Sequence, residues 1–402
     1  MDKKRKIWMV VDHPQQFAIA LGIIAGLKNA GFVFNLIISP HGYWQRVDID
    51  RYRDRFESIH IFERPDYTAH PVRLLRMIFQ IFRLKKEISR LNIAREDIIM
   101  GFSIFHYLEN IVLSLHPHNY RIGVMPQAVY DECTRFMDKR IYFTPPEGLL
   151  TTCLVEPLTG LYRTYCMRER KNPRTYWRIR YRKLITEVFD KVIVLGIFAD
   201  DEKQPADEVY TMPFPYVMAL TERKDKKGKG EARKIVWFGN NFGGGMWNIT
   251  PGVYAEHVNK CLDSLRTKYG AEYHLVYRPH PVEKDEMKSL DLSMYDIEKD
   301  SMLSELYLYE DINDIYAVFS ADSTSSRSAF DFFINSYVFL HTFPYNDAAI
   351  KHWHETMGNV PGSFFINDLS AVPERYIKSD DVDMAAKKCK DVLNKLLSVT
   401  GE

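Results

Sequence analysis

Short apolar runs alternate along the first half of the chain with longer stretches whose apolar positions recur every three to four residues. Residues 7–11, Ile-Trp-Met-Val-Val, form the first run, and an amphipathic segment over 15–29 follows, with Gly31 just past its end. A run of apolar residues bounded by turn signals predicts a strand, and the three-to-four spacing predicts a helix that stops at the glycine. The same reading predicts strands over 33–39, 58–62, 97–102, 120–125 and 191–196, and a helix over 72–91. Strands that alternate with helices imply βαβ units and a parallel sheet.

Residues 222–232 (Glu-Arg-Lys-Asp-Lys-Lys-Gly-Lys-Gly-Glu-Ala) interrupt the alternation with a polar, Lys- and Gly-rich break. Such a stretch predicts an exposed linker or loop near a domain boundary. The pattern then restarts: strands over 234–238, 273–277, 315–320 and 337–340, a helix over 252–268, a helix starting near Ser325, and a closing amphipathic helix over 381–397. The expected fold class is α/β, two Rossmann-like domains facing across a cleft, with 1–210 as the first and 211–402 as the second. Ligands of such sheets bind at the carboxyl ends of the strands.

Composition narrows this picture. The chain has 402 residues, enough for two domains, and its 46% hydrophobic content supports real cores. A net charge of +1 excludes a global field for nucleic acid, and no nucleic-acid motif is present. The five cysteines, Cys133, Cys153, Cys166, Cys261 and Cys389, are odd in number and form no CxxC pair, which argues against a disulfide framework or a zinc knuckle. The first apolar run ends at Asp12 and reads as a strand, not a signal peptide, and no run approaches a membrane span. The expectation is a cytoplasmic protein.

Three turns after predicted strands of the second half carry the candidate chemistry. The first is Gly239-Asn240-Asn241-Phe242-Gly243-Gly244-Gly245, whose glycines let backbone N–H groups approach a ligand. In the second, Tyr277-Arg278-Pro279-His280-Pro281, two prolines stiffen the turn that presents Arg278 and His280, a pair suited to a phosphate. His-Pro also occurs at residues 13, 70 and 116, so the strand and the Arg-Pro frame single out His280. The third turn, Ser320-Ala-Asp322-Ser323-Thr324-Ser325-Ser326-Arg327, places hydroxyls at a helix N-terminus, where they cap the helix and the free N–H groups favour an anion.

A strand followed by Arg-Pro-His-Pro, then a strand followed by a Ser/Thr-Ser cluster and a helix, resembles the C-terminal half of bacterial sialyltransferases and polysialyltransferases and is similar to bacterial Kdo transferases. The likeness spans roughly 234–345. It implies the GT-B architecture and a CMP-sugar donor, with no further cofactor. It assigns His280, with Pro281, to contact or protonate the leaving phosphate, and Ser323, Thr324, Ser325 and Ser326 to the phosphate positions. Teichoic-acid-type CDP-glycerol transferases share a similar Ser-Ser element. The resemblance also implies a paired-acid motif ending in Gly as source of the general base. Here the chain departs from it: Asp131-Glu132 lacks the glycine, and Glu147, in Pro145-Pro146-Glu147-Gly148, and Glu156 do not match either. With Asp12 these form the shortlist for base or nucleophile, since the expected cleft sets acids of the first domain opposite the donor.

Asp12-His13-Pro14-Gln15-Gln16 follows the first strand. His13 and Gln16 are candidate acceptor contacts; the alternative is a helix cap by Asp12 and a surface histidine. No metal is expected: the DxD strings at 48–50 and 381–383 follow no convincing strand, and His352 and His354 do not share a helix face. The helix over 72–91 is basic and amphipathic, and 162–183 mixes nine Lys/Arg with Tyr and Trp, compositions suited to an anionic membrane surface or glycan. The leading expectation is an enzyme that transfers an acidic sugar, Kdo or sialic-acid-like, from a CMP donor to a bacterial surface glycan or lipid-linked glycan of lipopolysaccharide or capsule. The alternatives are a CDP-polyol phosphate transferase and a non-catalytic glycan- or membrane-binding protein.

Overall fold

The computed structural model describes residues 5–40, 42–63, 71–102, 107–126, 189–196, 209–220, 233–240, 249–281, 283, 286–298, 302–370 and 375–398. Chain contacts divide the protein into two compact units, Met1–Pro215 with Lys387–Glu402, and Tyr216–Ala386.

The first unit contains β1 (Lys6–Val11), α1 (Pro14–Leu27), β2 (Val33–Ile38), β3 (Ser58–Ile61), α2 (Pro71–Ile88), β4 (Ile98–Gly101), α3 (Tyr107–Leu115), β5 (Tyr120–Pro126), β6 (Lys191–Leu195) and β7 (Val209–Met212). Its strands form one parallel sheet of order β3-β2-β1-β4-β5-β6-β7. Strands covered on both faces read as unbroken apolar runs, and Ile7 through Val11 are all buried. Helix α1 is apolar nearly all round and correspondingly buried along its length. Two glycines serve packing: a Cβ on Gly123 of β5 would come within 2.6 Å of the Phe189 ring, and one on Gly101 of β4 within 3.0 Å. The ring therefore lies flat against two adjacent strands.

The second unit contains β8 (Lys234–Phe238), α4 (Pro251–Tyr269), β9 (His274–Arg278), β10 (Asp296–Ile297), α5 (Ser304–Asp311), β11 (Ile315–Ser320), α6 (Thr324–Asp331), β12 (Asn335–Val338) and α7 (Asp347–Met357). Its five strands are parallel, in the order β10-β9-β8-β11-β12. Both sheets therefore build outward from their first strand in one direction and then return to its other side. This is the doubly wound plan, with a switch point between β1 and β4 in one sheet and between β8 and β11 in the other.

The expectation of one C-terminal domain from 211 to the end differs from this division. The last helix, α8 (Ser379–Ser398), begins in the second unit and its final turns group with the first. The cause is packing: Leu393, Leu396 and Leu397 are buried, Arg5 donates to the Leu397 carbonyl at 3.3 Å, and the Cys389 thiol donates to the Pro213 carbonyl at 3.3 Å.

Candidate functional site

Because β9, β8 and β11 are parallel neighbours, the turns after Arg278, Phe238 and Ser320 leave the same edge of the second sheet. After β8, the Gly239 N–H donates to the Arg278 carbonyl at 2.9 Å. A Cβ there would lie 2.2 Å from Glu283 Oε2, 2.9 Å from the Tyr277 hydroxyl and 3.0 Å from the His280 nitrogen, so only glycine fits. Asn241 and the glycines after it lie outside the described residues.

Buried Glu283 organises the second turn. It accepts from the Tyr277 hydroxyl at 2.7 Å through Oε1 and from the His280 N–H at 2.8 Å through Oε2, and its own N–H donates to the His280 carbonyl at 2.9 Å. The backbone of His280 is thus held on both sides, and Pro281 follows it at the surface. Strand β9 runs one residue further than its apolar pattern predicts, so Arg278 is its last residue and not the first of the turn. Only 4% exposed, Arg278 donates to the Met302 carbonyl, and its guanidinium lies 4.2 Å from the centre of the Tyr307 ring. In this structure it braces the approach to α5.

In the third turn, Ser323 caps α6: its Oγ accepts from the Ser325 N–H at 3.2 Å. Ser326 Oγ pairs with Ser320 Oγ at 2.7 Å, and Ser325 Oγ donates to Ser304 Oγ at 2.9 Å, joining the first turns of α5 and α6. Of the four expected phosphate hydroxyls, three are thus engaged within the protein, and Thr324 is the exposed member of the group.

Asp322 is the residue that binds this edge together. It is 3% exposed; Oδ1 accepts from Asn240 Nδ2 and, at 3.3 Å, from the Tyr254 hydroxyl, while Oδ2 accepts from the Tyr345 hydroxyl at 2.6 Å. One carboxylate therefore ties the β8 turn, α4 and the segment after β12 to the end of β11. Burial pushes its acid up to about 6, against the opposing effect of the hydrogen bonds from Tyr345, Asn240 and Tyr254. Neither Glu283 nor Asp322 stood out in the sequence as a site residue. The available signals were an acid two residues beyond a double-proline turn and an acid two residues beyond an apolar strand.

At the end of β1 in the first unit, Asp12 is 2% exposed, and its carbonyl accepts from Trp44 Nε1 at 2.7 Å. His13, not Asp12, is the N-cap of α1: its Nδ1 accepts from the Gln15 N–H at 3.2 Å. Gln16 Oε1 accepts from the Asp12 and His13 N–H groups at 2.9 and 3.1 Å, which completes a capping box. The two expected acceptor contacts are thus brought together as a helix start. Asp131, Glu132, Glu147, Glu156 and the aromatic basic segment 162–183 lie outside the described residues. On α2, Leu84 and Ile88 are buried while Phe79 and Phe82 are 73% and 57% exposed, close along the helix to the Arg83–Glu87 ion pair at 2.8 Å. Among the described residues, no helix is long and apolar enough to cross a membrane.

No protein-family model matches the chain. No curated protein matches it in sequence. Solved structures do match in fold. The UDP-GlcNAc 2-epimerase from Methanocaldococcus jannaschii superposes with a TM-score of 0.51 at 8% identity, covering 98% of this chain and 99% of that one. Another UDP-N-acetylglucosamine 2-epimerase gives 0.51 at 10% identity, over 99% and 97% of the two chains. The calicheamicin glycosyltransferase CalG4 gives 0.44 at 11% identity, over 100% and 97%. At such identities the likeness is one of fold. With the strand orders above, it identifies an α/β protein of two Rossmann-like domains in series, the GT-B class.

Proposed function

We propose that the chain is a nucleotide-sugar-dependent glycosyltransferase whose donor phosphate is held at the carboxyl edge of β8, β9 and β11. The observation that carries the reading is the construction of that edge: two buried carboxylates, Glu283 and Asp322, fix the turns around Gly239, Asn240 and His280 next to the N-terminus of α6. A site fixed before the ligand arrives stabilises charge without reorganising during the reaction. In this reading His280 stabilises or protonates the departing phosphate oxygen, while the hydroxyl and N–H of Thr324, at the start of α6, hold the phosphate. The donor is a CMP-activated acidic sugar, a choice supported by the Arg-Pro-His-Pro and Ser/Thr-Ser motifs. The base comes from the shortlist of Asp12, Asp131, Glu132, Glu147 and Glu156.

The likeness to structures named as UDP-GlcNAc 2-epimerases favours a second reading, a UDP-sugar enzyme. A thermal-shift panel of CMP, CDP, UMP, UDP, GDP and AMP separates the two, since a ligand of the native state raises the melting temperature by mass action. The expected result is the largest rise with CMP. A rise confined to UDP selects the second reading, and no rise with any nucleotide ends both. With the donor identified, His280→Ala should lower turnover by about 10²–10³-fold. Wild-type turnover in that variant would make His280 a turn residue only.

A further inference from the structure

His354 has a partner that its sequence neighbourhood does not show. Its Nε2 lies 3.2 Å from Nε2 of His341, thirteen residues earlier, in an exposed position. His341 belongs to the 3-10 turn Leu340–Thr342 directly after β12, and His354 to the last turn of α7. The Phe365 ring sits against both imidazoles, with centroids 4.2 Å from His354 and 5.8 Å from His341, and so restricts how either can turn.

We infer that His341 and His354 form a surface site for a divalent transition metal such as zinc. Zinc binds imidazole nitrogen at about 2.0–2.1 Å with tetrahedral angles, so two histidines sharing one ion hold their nitrogens roughly 3.3 Å apart. The spacing of the pair therefore matches the edge of a zinc tetrahedron, and the same nitrogen of each ring faces inward. One further feature favours a cation here. The last turn of a helix presents its partial negative charge, and the His354 carbonyl lies there, accepting from the Gly358 N–H at 3.1 Å. Among the described residues no third His, Cys, Asp or Glu joins the pair, so water completes the coordination.

A metal at this point clips a loop closed by residues 341 and 354. That loop carries Phe343, whose ring lies 5.1 Å from that of Tyr254, and Tyr345, which holds Asp322. The site thus pins the segment that supports the Asp322 network from outside, without touching the phosphate edge itself.

The test uses the full chain, stripped of metal with EDTA and dialysed. Zinc binding is measured by competition with a chromophoric chelator, with magnesium as the control ion. The expected result is one zinc per chain in the wild type, no magnesium binding, and an affinity at least about tenfold weaker in both His341→Ala and His354→Ala. His354→Gln repeats the comparison with a side chain of similar reach, and metal-free melting temperatures report whether each variant is folded. Equal zinc binding by wild type and folded variants overturns the proposal. So does an absence of zinc binding in the wild type, which would leave the pair as a plain imidazole hydrogen bond. Neither outcome bears on the nucleotide reading, which rests on other residues.

Discussion

The ends of β1 and β8 occupy the same position in two sheets wound the same way, yet they handle their polar groups differently. After β1, His13 accepts from the Gln15 N–H in the first turn of α1, and Gln16 reaches back to the Asp12 and His13 N–H groups just before it. After β8, the turn contributes a glycine with no room for a side chain and an asparagine held by an acid from another strand. At the first edge the capping bonds are local, between near neighbours in sequence, and Trp44 adds one bond to the Asp12 carbonyl from 32 residues away. The other is assembled from long-range contacts, up to 82 residues apart between Asn240 and Asp322. A helix start needs only residues within one turn, whereas several turns converging on a ligand must be positioned by groups from separate strands. The difference is what supports placing the proposed phosphate site on the second sheet.

The sharpest way to break that contrast is Gly239→Ala. The added methyl would meet a Glu283 oxygen that already accepts from His280, and behind it the His280 backbone itself. Glu283 can move aside only by giving up the bond that fixes the second turn. Crowding of this kind costs typically up to about 3 kcal/mol, and here the loss of the His280 contact adds to it. We expect the largest fall in melting temperature of any variant considered, together with loss of the nucleotide-induced shift. A variant as stable as wild type would show that the two turns are not coupled.

Asp322 provides a second test, through pH. Its native pKa of about 6 lies above the ordinary aspartate value, so the native state binds more protons than the unfolded chain between roughly pH 4 and 6. Its contribution is therefore fully present below about pH 4 and is lost as pH rises through about 6. A shift of two units corresponds to about 2.7 kcal/mol. Asp331, pushed up to about 7 by burial against the opposing charge of Arg327, acts in the same direction, so the informative quantity is the difference between wild type and Asp322→Asn. In denaturant titrations, the stability of the variant relative to wild type should rise from pH 4 to pH 7. Parallel curves would mean that Asp322 is already ionised at low pH and is not a buried hub.

The two edges were not equally legible in the sequence. Apolar runs that parallel sheets bury on both faces gave the strands at 7–11, 33–39, 234–238 and 315–320, each within a residue of those observed, and α1 and α4 followed from their spacing and their end signals. The short elements escaped notice: β10 is two residues long and exposed, and α3, α5 and α7 have eight to eleven residues each, too few for a periodic pattern to stand clear of its surroundings. The helix cap after β1 was foreseen only as an alternative, and on Asp12, because an acid is the commoner cap and a histidine accepting through Nδ1 is not. In the second sheet the motifs fall on turns that share one edge, but several of their side chains are engaged within the protein. Hydroxyls expected to face a phosphate are bonded to Ser304 and Ser320, and the arginine expected in the turn ends a buried strand. Residue type and spacing place the motifs on turns of one edge. Which side chains remain available depends on partners that come from other strands, and a linear pattern does not contain them.

The smallest expected effect lies on the first edge and concerns Gln16. Its side-chain oxygen accepts from the Asp12 and His13 N–H groups, and Gln16→Ala removes that acceptor while leaving the rest of α1 in place. Loss of a cap interaction costs typically about 1 kcal/mol, which for a unit of this size lowers the melting temperature by roughly 2–4 °C. Nucleotide affinity should stay at its wild-type value, because the proposed phosphate edge belongs to the other sheet. The kinetic split is the decisive measurement. If Gln16 only caps the helix, acceptor KM is unchanged and any loss of activity tracks the loss of folded protein on heating. If acceptor KM rises severalfold at a temperature where the variant is fully folded, then the capping box also reads the acceptor. The first edge would in that case be a binding surface in its own right, and the contrast between the two sheets would become a division of labour between acceptor and donor.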